Sequence, residues 1–457
     1  MIFLKRRRLI IWLAQAYIKK WGKIILASFF IGIVAITLLF LNRNLILSKI
    51  PNTQEVKKIG IAGIFTKNDV PNRLPSVILE NASRGLTKVS DSGVVLPDVA
   101  KSWEIKDGGK TYVFYLKKDI YFSDGEEVNS SSIEYNFKDV TIEHPADEVI
   151  VFKLKENYSP FLITLANNKI FKENFVGISD FKIKKIKENS GFLDYIEIYS
   201  QDDKKKIKYD FYDTQAALKS AYVLGEVDEI IDLSDLKYNG KHSFDKFKNT
   251  LSQKGINDEK IVTIFINNKD SILSDKKIRK SLAYVIPDKF AQGERIYTPY
   301  KKNFWANSRI NVQKNDLEYA KLLLNDSSAT QAGKLEIELK TLPQYEDLAK
   351  EIAKYWKQLS INTKIEVVFA VPTFYQAFLG EFPVLLDPDQ YTLWHSNQPT
   401  NITNYVNLRI DKLLEDGRRT IDLEERKNIY ADFQKYLIDD MPAIFLYFPH
   451  TYTISRK

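Results

Sequence analysis

The sequence predicts a mixed α/β protein preceded by one transmembrane helix. Three observations lead there. Ile24–Leu41 (IILASFFIGIVAITLLFL) runs for eighteen residues without a charge. Beyond residue 57, strand-like and helix-like stretches alternate, most regularly at Leu335–Lys340, Tyr345–Leu359 and Thr363–Phe369. The 457 residues, 44% hydrophobic and 28% charged, have globular composition and enough length for two or three cores.

The first element is the apolar run. At about 1.5 Å per residue it spans roughly 27 Å, close to the hydrocarbon thickness of a bilayer. Lys5, Arg6, Arg7, Arg8, Lys19, Lys20 and Lys23 precede it without any acid, and Trp21 stands where an interfacial indole belongs. The positive-inside rule therefore keeps residues 1–23 in the cytoplasm and exports the chain beyond Asn42. The run is longer than a signal-peptide core, and LNRNLILSKI after it offers no small-x-small cleavage site. Leu9–Tyr17 is an apolar stretch suited to the inner interface. The seven cations also account for most of the formal charge of +8, so the main body is nearly neutral and gives no sign of a nucleic-acid surface.

In the exported part, Ile59–Thr66 reads as a buried strand, Arg73–Leu86 as a helix and Thr111–Leu116 as an aromatic strand. Ser130–Val140 reads as a short serine-capped helix. Phe181–Phe211 reads as a hairpin with a polar tip at Gln201–Lys206. Asp213–Gly225 is expected to be a helix burying Ala216, Ala217, Ala221 and Leu224, followed by a strand at Val227–Ile231. Ile261–Ile266 is an apolar strand suited to a crossover between domains. Lys276–Ile286, Leu317–Leu324, Arg409–Arg418 and Leu423–Ile438 read as helices, and Ala443–Phe448 as the last strand.

The chain has no cysteine, which excludes disulfides, thiol catalysis, Cys-bound zinc and a lipidated N-terminal cysteine. Gly108-Gly109-Lys110-Thr111 ends like a phosphate-binding loop, but Glu104 stands where its first glycine belongs. No G-x-S-x-G, H-E-x-x-H or G-x-G-x-x-G occurs, and His144, His242, His395 and His450 lack metal-ligand spacing. No enzymatic activity, cofactor or metal is expected.

Leu96–Val140 resembles the signature of the family 5 extracellular solute-binding proteins, the oligopeptide, dipeptide and nickel binders of ABC importers. Pro97, Ala100, Ser102, Trp103, Gly109, Tyr112, Phe114, Leu116, Phe122, Asp124 and Gly125 fall in register with it. Gly225–Asp228, Phe265–Pro287, Asp316–Leu324 and Asn404–Tyr447 are similar to later family motifs, in the family's order. The resemblance implies a two-lobed hinged periplasmic-binding-protein-like fold of the large class, with an extra subdomain in the first lobe. Its expected lobes are 57–258 plus 426–457, and 259–425, with 42–56 as a tether. Trp103 and Tyr112 are expected to serve the fold.

A peptide binder needs a counter-charge for each terminus and roomy aromatic pockets. LDPDQYTLWHSN at 386–397 is similar to the family's D-P-D-x-Y-x-x-W-H-S segment. There Asp387 or Asp389 is a candidate partner for a ligand ammonium, with Tyr391, Trp394 and His395 toward the cleft. The alternative is a turn and helix cap, with Trp394 in the core. The family usually carries an ammonium-anchoring aspartate-tyrosine pair just before this segment, where this chain has Phe382-Pro383-Val384-Leu385. Trp305 and Asn307 are further candidates in an aromatic loop, and Asn81, Ser83 and Arg84 weaker ones. With the apolar run at 24–41 as its membrane anchor, the resemblance implies a monomeric protein that hands peptides or small solutes to ABC permease subunits. A sensor or adhesion module without transport is the alternative, and an exported hydrolase a more distant one.

Overall fold

The computed structural model describes residues 19, 21–23, 56–71, 73–200, 204–308, 314–327 and 335–457. Two units separate, 1–55 and 56–457. In the first unit, Lys19 and Trp21–Lys23 are helical. The expected span 24–41, the interfacial stretch 9–17 and all of the tether except Val56 lie outside the described residues. Among the described residues, no helix is long and apolar enough to cross a membrane.

The second unit is built on one long mixed sheet. Its strands run in the order Phe181–Asn189, Phe192–Ser200, Lys206–Tyr212, Val56–Ala62, Glu229–Leu233, Ala443–Arg456, Lys260–Ile266, Ala377–Pro383, Glu336–Thr341, Asn362–Val367. Val56–Ala62 pairs in parallel with both its neighbours, as does Glu336–Thr341. Parallel neighbours need a crossover, and the amphipathic helix Glu346–Lys357 provides one between Glu336–Thr341 and Asn362–Val367. It buries Leu348, Ala349, Ile352 and Trp356 against them.

The C-terminal strand joins the two halves of this sheet. Its start pairs with Lys260–Ile266, and its end, from His450, pairs with Thr250–Ile256 and Glu229–Leu233. The first half has one core on either side of Val56–Ala62 and Glu229–Leu233, and the second half has two more. A separate four-stranded antiparallel sheet, Ala100–Lys106, Thr111–Leu116, Val149–Leu154 and Val140–Ala146, encloses its own core around Tyr112, Phe114 and Phe152.

Several expectations are shifted. Helix Leu423–Asp440 packs Tyr430, Phe433 and Leu437 into a second-half core with Phe265, Phe378 and Phe445. The chain thus returns to the first half near His450 rather than at residue 426. Ser130–Val140 is not a helix: Asn129 caps a single 3₁₀ turn, Ser130–Ser132. Past it the chain is irregular, because Tyr135 and Phe137 stack 5.0 Å apart beside the aromatic core. The Phe181–Phe211 region holds an extra turn at Ser190-Gly191, both at positive φ, and so contributes three strands. Helix Gln215–Leu224 buries Leu218, Ala221 and Tyr222, while Leu224 is exposed.

Candidate functional site

The segment singled out by sequence folds into a tight polar knot. Asp387 Oδ1 accepts the amide of Asp389 at 2.8 Å, and Asp389 Oδ1 accepts that of Tyr391 at 3.1 Å, so each carboxylate shapes its own turn. Arg426 grips Asp387 with both terminal nitrogens, one at 2.9 Å, and both residues are buried. Arg418 donates to Asp389 through Nε at 3.0 Å and lies 4.2 Å over the Tyr391 ring. Burial raises the pKa of Asp389, and the Arg418 charge opposes that rise. Trp394 is a core side chain, stacked on Phe382 and bonded through Nε1 to Gln390 at 2.8 Å. His395 is buried against Tyr391, at 4.2 Å, with Glu415 at 3.4 Å from Nε2. Trp305 faces Arg426 at 5.6 Å, and Asn307 bonds back to Lys301 within its own loop.

The fold thus brings Asp387, Asp389, Tyr391, Trp394, His395 and Trp305 close to Arg418 and Arg426. Both carboxylates already have arginine partners within the chain. This is the geometry of a turn and a core, the alternative left open by the sequence.

A cavity of about 440 Å³ lies beside this knot. One wall comes from residues 76–98 and 166–169 of the first half, the other from Lys301, Phe304, Leu385 and Leu386 of the second. Among the sequence candidates, Ser83 and Arg84 line it. Ser83 is occupied by the backbone, donating to Ile170 O and accepting from Ile178 N. Asn81 lies next to this wall, bonded to Val77 O and the Tyr209 hydroxyl. Gly85 lets the wall close up, since a Cβ there would sit 2.4 Å from Leu165 O. The halves touch at one rim, where the Trp305 amide donates to Ser92 O at 2.9 Å.

The two walls differ in character. Glu80, Arg84, Lys88, Asp91, Asp98 and Lys169 make the first wall charged, whereas Phe304, Leu385 and Leu386 make the second largely apolar. Arg84 is paired with Asp98 through Nε at 2.8 Å, and Lys301 with Asp258 at 2.7 Å. Lys169 is half-buried. Burial pushes its ammonium pKa down, opposed by the charges of Glu80 and Asp98. No motif marked Lys169, Glu80 or Asp98; only the proximity of Arg84 could have pointed to this wall. Among the described residues, no three His, Asp or Glu side chains gather as a metal site.

Residues 94–142 and 138–405 match the model of the bacterial extracellular solute-binding proteins, family 5 Middle. The oligopeptide-binding protein AppA of Bacillus subtilis is 23% identical over 455 residues, covering 80% of each chain. The probable D,D-dipeptide-binding periplasmic protein DdpA of Escherichia coli is 20% identical over 413 residues, covering 77% of this chain and 78% of that one. Among solved structures, NikZ from Campylobacter jejuni in complex with Ni(L-His) superposes with a TM-score of 0.70 at 20% identity, covering 88% of this chain and 94% of that one. The two chains share a fold, the two-lobed binding-protein architecture with a mixed sheet.

Proposed function

The chain belongs to the bacterial extracellular solute-binding proteins, family 5, and we propose that it captures a peptide-like solute between its two lobes for an ABC importer, while segment 24–41 tethers it to the membrane. The observation that carries this reading is the cavity of about 440 Å³ with one wall from each half of the sheet. A ligand held there touches both walls, so its binding free energy favours the closed arrangement of the lobes, and a permease can distinguish that arrangement from the open one. The division near residues 257–260 and 449–450, where two strands cross between the halves, is the proposed hinge.

The ligand seat on this reading is the cavity rather than the Asp387–His395 knot. Leu385 and Leu386 line the cavity next to the position where the family's ammonium-anchoring pair is expected, so recognition of a free amino terminus there is not the proposed basis of selectivity.

The test is thermal melting of the full-length chain in non-ionic detergent against pooled tetrapeptides and against nickel with L-histidine. A ligand bound only by the folded state raises the melting temperature in proportion to ln(1 + [L]/Kd). A dose-dependent rise with one class supports capture and names the class. No rise with either at millimolar concentration rejects capture of peptide-like solutes. The tether is tested in a bacterium: the intact chain should resist alkaline extraction, and external protease should degrade residues 57–457. Recovery of a shortened soluble form would reject it.

A further inference from the structure

A second cavity, of about 290 Å³, lies wholly within the second half and shares no residue with the cavity between the halves. It opens between helix Lys276–Tyr284, the end of helix Leu423–Asp440 and the start of the C-terminal strand. Its volume is close to the roughly 300 Å³ at which sites for small organic ligands begin. Tyr284, Ile286, Ile438 and Phe445 give it apolar sides. Among the described residues, four cations also line it, Lys280, Arg295, Lys314 and Lys435, against one acid, Asp439.

That acid is already taken. Lys280 donates to one oxygen of Asp439 at 2.5 Å, and Lys276 holds the other. Arg295 has no such match. Its Nη1 donates to the carbonyls of Ile296, Phe445 and Leu446, and its guanidinium lies 4.0 Å over the Tyr297 ring. Among the described residues no carboxylate pairs with it, and its buried Nε has no hydrogen-bond partner. Burial pushes its pKa down to about 10, opposed by Tyr297 and Asp288. Asp288 itself accepts from the Tyr297 hydroxyl at 2.6 Å and the Asn315 amide at 3.1 Å. A cation held partly from water without a counter-charge is costly, and an anion entering the cavity offsets that cost.

The backbone sets this arginine in place. Strand Gly293–Arg295 pairs with Tyr447–Pro449 of the C-terminal strand, which puts Arg295 opposite Tyr447. Gly293 permits the approach, since a Cβ there would lie 2.2 Å from Phe448 O. A planar guanidinium fits the two oxygens of a carboxylate better than it fits a spherical anion.

We propose that this cavity is a second ligand site, which takes a small carboxylate with an apolar or aromatic body. The anionic group neutralises Arg295 beneath the Lys314 and Lys435 rim, and the body lies on Tyr284, Ile286, Ile438 and Phe445.

The probe is phenylacetate, compared with phenylacetamide, which has nearly the same shape without the charge. Binding of each to the full-length chain in non-ionic detergent is measured by calorimetry at neutral pH. The acid should bind roughly tenfold or more tightly than the amide, as expected for a hydrogen bond to a charged group. R295M should abolish that preference. Arg295 also holds three carbonyls, so K435E serves as a second variant, reversing an exposed charge at the rim. It should weaken the acid roughly threefold, the scale of an exposed ion pair, and leave the amide unchanged. No binding of the acid at millimolar concentration overturns the proposal. So does equal binding of acid and amide, or a preference unchanged in every variant that folds. Capture between the lobes stands either way, because the two cavities have no residue in common.

Discussion

Asp387 and Arg426 form a buried two-pronged ion pair across 39 residues of sequence, tying the turn before Tyr391 to helix Leu423–Asp440. Arg426 also donates through Nε to Gly417 O at 2.7 Å, so one guanidinium holds three segments together. Removing one partner leaves an uncompensated buried charge, which typically costs about 3–5 kcal/mol. D387A should therefore lower unfolding stability by about that amount in chemical denaturation. At temperatures where it stays folded, its ligand affinity should match that of the unsubstituted chain. Normal stability with lost binding would instead make Asp387 a ligand contact.

Gly93 meets Phe304 at the rim where the two halves touch. Its φ is +81°, and a Cβ there would lie 2.0 Å from the ring of Phe304, itself buried. G93A should thus be destabilised by backbone strain and overpacking together, about 1–3 kcal/mol. Truncating Phe304 to Ala should relieve the steric part. The G93A/F304A pair is expected to be less destabilised than the sum of the single changes, by about 0.5–3 kcal/mol in a double-mutant cycle. Additive losses would mean that the halves do not press on each other here.

Gly85 allows the charged wall to approach helix Phe161–Asn167. An added methyl would fall 2.4 Å from Leu165 O and 2.9 Å from Thr87 O, both backbone atoms that cannot step aside alone. G85A should shift the segment carrying Arg84 away from the loop carrying Lys169. Ligand affinity should drop more than tenfold with a stability loss of about 1–3 kcal/mol, read by calorimetry and melting. Unchanged affinity would separate this wall from binding.

The fold was largely legible because its signals are local. Thr111–Leu116 alternates, and Glu346–Lys357 repeats its apolar residues every three to four positions, so each declares its type without knowledge of its neighbours. Helix Gln215–Leu224 shows where local information ends. The stripe of Ala216, Ala217, Ala221 and Leu224 expected from local spacing gives way to the face of Leu218, Ala221 and Tyr222, which the strands it packs on select. Ser130–Val140 failed for a related reason, since Tyr135 and Phe137 are drawn toward aromatic partners, Phe152 and Phe161, far along the chain. The site was less legible. Nothing near Asp387 or Asp389 announces that arginines 39 and 29 residues later will neutralise them. Lys169 carries no motif, and its half-burial exists only once two distant segments meet.

Asp439 and Asp440 give the stability a defined acid limb. Burial alone would raise both pKa values, but hydrogen bonds and charges from Lys276 and, for Asp439, Lys280 hold them below the ordinary carboxylate value. Asp440 also accepts from Tyr405 at 2.6 Å and Asn407 at 2.8 Å, and its backbone carbonyl takes Arg279. Folded pKa values below the unfolded ones mean that the unfolded chain binds more protons in acid. The contribution is therefore fully present above about pH 4, the ordinary aspartate value, and is lost as pH falls through the lowered folded values. Denaturation midpoints should accordingly fall below pH 4, and the D439N/D440N double variant should start lower at neutral pH and show a shallower acid limb. An identical slope in both proteins would assign the acid loss to other carboxylates.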